Sequence, residues 1–190
     1  MQYKKKYIKD QILQAGLNEY LVKGYRQGSI SSVAQSAGVP VGNLYRYFDG
    51  KSGLLDALVK PAYDEIPKIV QHLAEKDTES VQDSLLEGLA ESIIAVLEEY
   101  GQEMLLLADG CTTSRYEDFV ERLVKQVGEI IYYKLYADNL KQSRVMSSLT
   151  AKAFVHSIFD LIRSDLEKGE RDAMVLRTVN FYFYNIAARK

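Results

Sequence analysis

The chain has 190 residues, of which 47% are hydrophobic and 26% are charged, and its formal net charge is −2. It contains no apolar run of about 18 residues that could span a bilayer, and no signal-peptide stretch follows its basic N-terminus, so we expect neither a membrane segment nor secretion. The single cysteine, Cys111, cannot form an intramolecular disulfide, which favours a cytoplasmic location.

Charge is distributed unevenly along the chain. Residues 1–60 hold nine Lys or Arg and four Asp or Glu, whereas residues 61–190 hold 15 and 22. A basic end beside an acidic body indicates that the first part meets a polyanion, because phosphate contacts supply most sequence-independent affinity for DNA. Chance clustering on a solvated surface explains the charge pattern equally well.

The first predicted element is an amphipathic helix. Apolar residues recur at spacings of three and four between Ile8 and Leu21, and Gly24 is expected to end the helix because glycine tolerates a positive φ. Ser29 can cap a second helix, whose small side chains allow a neighbouring helix to approach closely. No alternation of period two is found, so we predict an all-α fold.

Two further short helices are predicted before residue 60. Gly38-Val39-Pro40 interrupts the pattern, and the next helix carries the apolar residues Leu44 and Phe48. Residues 54–59 mark another helix. A proline removes a backbone donor and clashes with the preceding turn, so we expect a kink or a restart at Pro61.

The remainder of the chain is predicted to form four or five longer helices. They cover about 79–100, 102–109, 115–137, 147–168 and 170–188, with a polar loop over 138–145. Three glycines are expected to separate them, namely Gly101, Gly110 and Gly169.

The two short helices around Gly38 form a helix-turn-helix pattern. The first has small side chains, the turn contains glycine, and the second bears amide and hydroxyl groups. A helix of this kind fits the major groove of DNA, where its outward side chains meet the edges of the bases.

One segment matches a known pattern at many fixed offsets. It comprises Gly24-Tyr25, the run SISSVAQSAGVPVGNLYRYF from Ser29 to Phe48, and Lys51 with Leu54-Leu55. In these residues the chain resembles the N-terminal signature of TetR-type (tetracycline-repressor-like) transcriptional regulators, over roughly its first third. The resemblance implies an all-α regulator that binds a double-stranded DNA operator as a homodimer.

Two positions depart from that signature. Gly28 stands where the family often has threonine, and Pro40 replaces the usual serine before the recognition helix. Neither departure breaks the fold, because Ser29 can take over the capping and proline is well suited to the start of a helix.

The resemblance also implies which residues contact DNA. They are Ser29, Ser31, Val41, Gly42, Asn43, Tyr45, Arg46, Tyr47 and Lys51. Among them Asn43 and Arg46 are the expected readers of bases, Gly42 allows close approach, and Tyr47 and Lys51 hold phosphates. Structural alternatives are that Tyr45 is partly core and that Asn43 only starts its helix. Lys4–Lys6 form either an electrostatic arm or a solvated end.

The resemblance divides the chain into three parts. Residues 1–50 are predicted to form the helix-turn-helix DNA-binding domain, 51–66 a connecting helix, and 67–190 a helical domain for effector binding and dimerisation. If a ligand binds, we expect it to reposition the helix at residues 51–66, with the Pro61 break as a pivot.

The last helix is apolar nearly all round, so both its own body and a second subunit must cover it. In the family the last two long helices form a two-fold interface, and two half-sites one DNA turn apart also require two-fold symmetry. The predicted interface residues are Phe154, Ile158, Leu161, Ile162, Val179, Phe181, Tyr182, Phe183 and Ile186.

The chain has 14 tyrosines and no tryptophan. Apolar rings with polar tips suit a cavity for a small, partly hydrophobic compound, although an aromatic core or an interface explains them equally well. The predicted ligand-binding residues are Tyr63, Tyr100, Met104, Cys111, Tyr116, Phe119, Tyr132, Tyr133 and Tyr136.

Catalysis and metal binding are not expected. The two histidines, His72 and His156, belong to no His-Glu-x-x-His arrangement, and no glycine-rich phosphate loop is found, so we predict no cofactor. His156 and Asp160 lie on a polar stripe that is either a pH-sensitive or ligand-binding pair or, more simply, a solvated face or the rim of an interface. The main alternative is that a protein partner, rather than a small ligand, controls the regulator.

Overall fold

The computed structural model describes residues 2–75, 82–136 and 140–184, and all regular structure in these stretches is helical. The predicted all-α fold is confirmed. The α-helices are α1 (Gln2–Gln27), α2 (Ile30–Ser36), α3 (Val41–Leu44), α4 (Gly50–Glu75), α5 (Gln82–Leu105), α6 (Phe119–Ile131), α7 (Lys141–Arg163) and α8 (Lys168–Phe183). Two π-helical turns, Leu106–Gly110 and Tyr132–Tyr136, follow α5 and α6.

The chain divides into two compact units. Unit 1 comprises Met1–Glu65 and Gln102–Phe119, and unit 2 comprises Ile66–Gly101 and Val120–Lys190. The boundary between residues 65 and 66 lies within α4, which therefore contributes to both units. The domain bounds expected at residues 50 and 66 stay predictions, because compactness does not decide which segment carries which function.

Unit 1 is built on the close approach of α1 to its neighbours. A Cβ atom added to Gly16 would lie 2.9 Å from a methyl group of Leu54, so the missing side chain lets α4 pack directly against α1. A Cβ atom on Gly110 would lie 3.2 Å from the carbonyl oxygen of Tyr20, which brings the first π-helical turn against α1 as well. Tyr20 itself is fully buried.

Gly24, which was predicted to end the first helix, interrupts the regular geometry of α1 three residues before its end at Gln27. Its φ of 71° and ψ of 159° are not helical, and this left-handed φ is open to glycine without a steric penalty. The few residues after it lead directly into the start of α2 at Ile30.

A kink or a restart was predicted near Lys60; the restart is wrong, because α4 runs as one helix through Pro61. Proline at this position leaves the carbonyl of Ala57 without its helical partner. Ala57 and Pro61 are both exposed, so water can bond that carbonyl, while the neighbouring Leu58, Val59 and Ala62 are buried and hold the helix in place.

Two other predicted boundaries are also wrong. Helix α5 continues through Gly101 to Leu105, and α7 begins at Lys141, inside the stretch predicted as a polar loop. Exposed polar side chains in a helix resemble loop composition, which explains the second error. Residues 137–139 and 185–190 lie outside the described part of the chain.

In unit 2, α7 packs against α8 and against the second π-helical turn. The buried residues of this unit include Leu86, Ala90, Leu97, Ile131, Ala151, Val155, Phe159, Val175 and Val179. Among the described helices, α7 is long and apolar enough to cross a membrane by length and composition, and 33% of that stretch is buried within the protein. One such helix is weak evidence for a membrane span, since the core helix of a soluble protein passes the same test.

Candidate nucleic-acid interface

Helices α2 and α3 are joined by a tight turn. Ser29 is the N-cap of α2, and its hydroxyl accepts a 3.1 Å hydrogen bond from the backbone N–H of Ser32. At the other end of α2, Gly38 has a φ of 66°, and the backbone N–H of Val39 donates to the carbonyl of Ala34 at 3.0 Å. This left-handed residue turns the chain into α3.

The short helix α3 and the turn after it have one buried face and one exposed face. Leu44 is 0% exposed and Phe48 is 5% exposed, so both anchor the segment in the core of unit 1. Tyr45 is 59% exposed, and Arg46 is exposed as well. The alternative that Tyr45 is partly core is therefore not favoured.

Other residues predicted to contact DNA differ in how accessible they are. Ser29, Ser31, Val41 and Gly42 are exposed, and a Cβ atom on Gly42 would meet no atom within 4 Å. Asn43 and Tyr47 are half-buried. Their roles at the operator stay predictions.

Lys51 has partners inside the protein. Its ammonium donates a 3.1 Å hydrogen bond to the carbonyl oxygen of Arg26 and lies 4.7 Å from the centre of the Tyr25 ring. Because an ammonium has three N–H donors, a phosphate contact is compatible with this arrangement. The Lys9 ammonium lies 6.0 Å from the centre of the Phe48 ring.

A second group that sequence reasoning missed surrounds Glu19. Its carboxylate accepts a 3.0 Å hydrogen bond from the Lys23 ammonium and one of 3.1 Å from the backbone N–H of Ser29. Lys23 also donates to the hydroxyl of Ser32 at 3.4 Å. Desolvation by itself would raise the pKa of Glu19, but these hydrogen bonds outweigh it and lower the pKa below its usual 4.5.

Asp56 on α4 is the centre of a third cluster. The Tyr116 hydroxyl donates to Oδ1 of Asp56, and Arg115 forms an ion pair with Oδ2, both at 2.9 Å. The Tyr63 ring packs edge-on against Tyr116, with ring centres 4.9 Å apart. Burial raises the pKa of Tyr116, and its bond to the Asp56 carboxylate acts in the same direction.

The predicted ligand-binding residues fall into both compact units. In unit 1, Tyr63, Tyr116 and Phe119 are brought together as a packed aromatic cluster, and Met104 and Cys111 are buried. Burial raises the pKa of the Cys111 thiol to about 11. In unit 2, Tyr132 is buried, Tyr133 is 65% exposed, and Tyr100 and Tyr136 are half-buried.

A groove of about 350 Å³ lies between α6 and α7 in unit 2. Its lining includes Tyr132, Glu129, Arg144 and Ser148. The Arg144 guanidinium lies 4.1 Å from the centre of the Tyr132 ring and 3.8 Å from a carboxylate oxygen of Glu129. The groove therefore combines an aromatic face with both signs of charge.

The predicted interface residues are divided between the core and the surface of unit 2. Phe154, Ile158 and Val179 are buried within the chain, whereas Phe181 is 69% exposed. Leu161, Ile162, Tyr182 and Phe183 are half-buried. The Phe154 ring contacts the rings of Tyr182 and Phe183 at 5.6 and 4.9 Å, so part of this set joins α7 to α8. Ile186 lies outside the described residues.

Within the part of the chain that the structure describes, no group of three or more His, Cys, Asp or Glu could hold a metal ion. His156 is exposed, and Asp160 forms an ion pair with Arg163 at 2.9 Å. A solvated face is thus the simpler interpretation of this polar stripe.

Comparison with known proteins agrees with this geometry. Residues 12–58 match the family of bacterial regulatory proteins named tetR. The chain is similar to the probable HTH-type transcriptional regulator YttP of Bacillus subtilis (strain 168), at 34% identity over 80 residues, which is 42% of this chain and 39% of that protein. The alignment thus spans less than half the length of YttP.

Two further proteins are similar over longer stretches. The biofilm operon icaADBC HTH-type negative transcriptional regulator IcaR of Staphylococcus aureus (strain Newman) is 24% identical over 128 residues, or 64% of this chain and 68% of that protein. A solved TetR-family transcriptional regulator from Bordetella parapertussis 12822 has a TM-score of 0.74 at 15% identity, with 93% of this chain and 94% of that chain covered.

The fold and the two faces of α3 define an all-α helix-turn-helix protein. Residues 12–58 match the tetR family by sequence, and the described helices share the fold of a solved TetR-family regulator.

Proposed function

We propose that this chain is a cytoplasmic, DNA-binding transcriptional repressor, that it acts as a homodimer, and that a small, partly hydrophobic ligand releases it from its operator. The observation that carries the DNA-binding part is the division of the α3 segment, in which Leu44 and Phe48 are buried while Tyr45 and Arg46 are exposed. Repression is supported by the likeness to IcaR, which is named a negative regulator. No catalytic step is part of the proposal.

The groove between α6 and α7 is the ligand site that the geometry supports best. Its volume of about 350 Å³ is within the usual range for small-molecule sites. Arg144 and Glu129 would orient a polar or charged group, and Tyr132 would cover an apolar one. The packed cluster of Tyr63, Tyr116 and Phe119 serves better as a structural element than as a cavity wall.

Helix α4 is the route by which occupancy of that groove would reach the DNA-binding residues. It begins at Gly50, two residues after Phe48, and it contributes to both compact units. The loop after the first π-helical turn is joined to α4 by the hydrogen bond from Tyr116 to Asp56. The same loop contains Thr113, whose φ of 68° is strained for a β-branched residue. A coupling of about 1–3 kcal/mol would weaken operator binding about 5- to 150-fold.

Dimerisation through α7 and α8 is supported by large side chains that the protomer leaves exposed. Phe181 near the end of α8 is 69% exposed and Tyr184 after it is 46% exposed. A second copy related by a two-fold axis would cover both and would present two recognition helices to two half-sites.

Selection from a random pool of duplexes with the purified protein tests the proposal. We expect a two-fold-symmetric operator, and a compound screen against that operator should then yield molecules that release the protein. Ser148→Phe fills the groove from an exposed position and should abolish release while leaving operator affinity unchanged. Enrichment of no sequence would contradict DNA recognition, and full release of the variant would contradict the ligand site.

A protein partner in place of the ligand is the second candidate, favoured by an exposed apolar patch at the start of α7. Val145, Met146 and Leu149 are 51%, 52% and 60% exposed and line a shallow groove of about 370 Å³. A patch of this kind is typical of a surface that another protein covers. Met146→Asp would then alter repression in cells without altering the affinity of the purified protein for its operator.

A further inference from the structure

We propose that Glu19 is a positioning residue of the DNA interface: it completes the cap of α2 from a different helix and holds the Lys23 ammonium away from the phosphates. This inference rests on the proposed DNA-binding function.

The cap of α2 lacks the usual reciprocal partner. In a capping box, the side chain of the residue at N3 accepts a hydrogen bond from the backbone N–H of the N-cap residue. Helix α8 is built in this way, because Glu170 at N3 accepts from the N–H of Glu167. In α2 the N3 residue is Ser32, and the N–H of Ser29 donates instead to Glu19 on α1, at 3.1 Å.

Glu19 therefore fixes the first turn of α2 through tertiary rather than local structure. Its side chain is 9% exposed, so the carboxylate is held by its surroundings. The hydrogen bond to Ser29 joins two residues that are ten positions apart, across the break at Gly24. Since Ser29 and Ser31 are proposed to lie along the DNA backbone, this bond sets the position of that edge of the interface.

The same carboxylate neutralises Lys23. Both of its oxygens lie 3.0 Å from the Lys23 ammonium, which is also 3.4 Å from the hydroxyl of Ser32, and the Lys23 side chain is 45% exposed. An unpaired ammonium there would be free to swing to a phosphate near α2. The logarithm of the DNA-binding constant falls linearly with the logarithm of the salt concentration, and each phosphate that a protein neutralises steepens this slope by about 0.9. With Glu19 in place, Lys23 adds nothing to that slope.

Binding to a duplex of scrambled sequence over about 50–200 mM salt tests this role. Glu19→Gln keeps an oxygen to accept from Ser29 but releases Lys23, so the slope should steepen by about 0.9. Lys23→Gln alone should leave the slope as in the wild type, and the double variant should restore it. An unchanged slope in Glu19→Gln, or a steep slope that persists in the double variant, would overturn the proposal.

Asp64→Asn supplies the matched control for charge. Asp64 pairs with Lys60 at the same spacing of four on α4, and both side chains are exposed, so this variant releases a lysine and removes one negative charge elsewhere in unit 1. We expect the wild-type slope. A slope as steep as that of Glu19→Gln would assign the effect to net charge alone and contradict a role specific to Glu19.

A measurement on the wild type makes the outcome independent of how well the variants fold. Acetylation of the Lys23 amine should proceed at the same rate with and without the scrambled duplex, because Glu19 keeps it from the phosphates. Protection of Lys23 by the duplex would overturn the proposal. If the wild type shows no salt-sensitive binding to any duplex, the proposed function itself fails, whereas normal binding with an unchanged Glu19→Gln slope refutes the positioning role alone.

Discussion

The hydroxyl of Tyr116 donates a hydrogen bond of 2.9 Å to the carboxylate of Asp56, sixty positions earlier in the chain. Tyr116→Phe removes this bond and keeps the ring that packs against Tyr63. Because the bond is to a charged group but Asp56 is partly exposed, we expect a loss of about 1 kcal/mol in the free energy of unfolding, measured with urea. Tyr133→Phe, at a ring that is 65% exposed, is the control and should change nothing. Equal effects in the two variants would contradict a structural role for the bond.

Gly42 leaves open space where a recognition helix would meet DNA. A Cβ atom at this position meets no protein atom within 4 Å, so Gly42→Ala should keep or slightly raise stability, by up to about 1 kcal/mol. If the backbone of α3 approaches the bases closely, the added methyl group should weaken operator binding about tenfold, or about 1.4 kcal/mol. Gly88→Ala on α5 adds a methyl group in equally open space and should leave operator affinity unchanged. Wild-type affinity in Gly42→Ala would rule out a close approach.

Cys111 is expected to be an unreactive thiol. Burial raises its pKa from 9.0 to about 11, so the group stays protonated as the pH rises through the physiological range. At pH 8 its thiolate fraction is about 100-fold lower than that of an ordinary thiol, and alkylation by iodoacetamide should be slower by at least that factor than in the unfolded chain. The rate, followed by mass spectrometry, should climb towards pH 11. Labelling of the native protein at the unfolded rate would contradict the burial.

Phe181 is expected to contribute to the contact between protomers. Burial of its exposed ring in each of two copies would stabilise a dimer by about 2 kcal/mol per copy. Phe181→Asp should therefore raise the dimer dissociation constant about a thousandfold, which sedimentation equilibrium measures. Val22→Asp introduces the same charge at a side chain that is 82% exposed on α1, and it should leave the dimer intact. The same dissociation constant in both variants would exclude Phe181 from the interface.

The helix-turn-helix could be predicted from the sequence because its determinants are local. Gly38 supplies the turn, and the spacing of Leu44 and Phe48 defines the buried face of the segment. The cluster at Glu19 could not be predicted, because its bond to Ser29 depends on how the chain turns at Gly24 rather than on any motif.

Predictions made from local sequence patterns were inadequate in two ways in the rest of the fold. A kink or a restart of the helix was expected near Pro61, but α4 runs through it as one helix, held by the buried residues around it. Tyrosine composition could not distinguish a cavity from a core, since a ring with a polar tip suits both. The structure places Tyr116 in a packed cluster and Tyr133 at the surface, a difference that depends on tertiary contacts.

We claim that the exposed face of α3 recognises the sequence of duplex DNA, and the variant Arg46→Ala tests this. The affinity of the wild type and of the variant is measured by titration at one salt concentration, for the selected operator and for the same duplex with its half-sites scrambled. The variant should lose about 1–3 kcal/mol on the operator and much less on the scrambled duplex. An equal loss on both duplexes, or no loss on either, would contradict the claim.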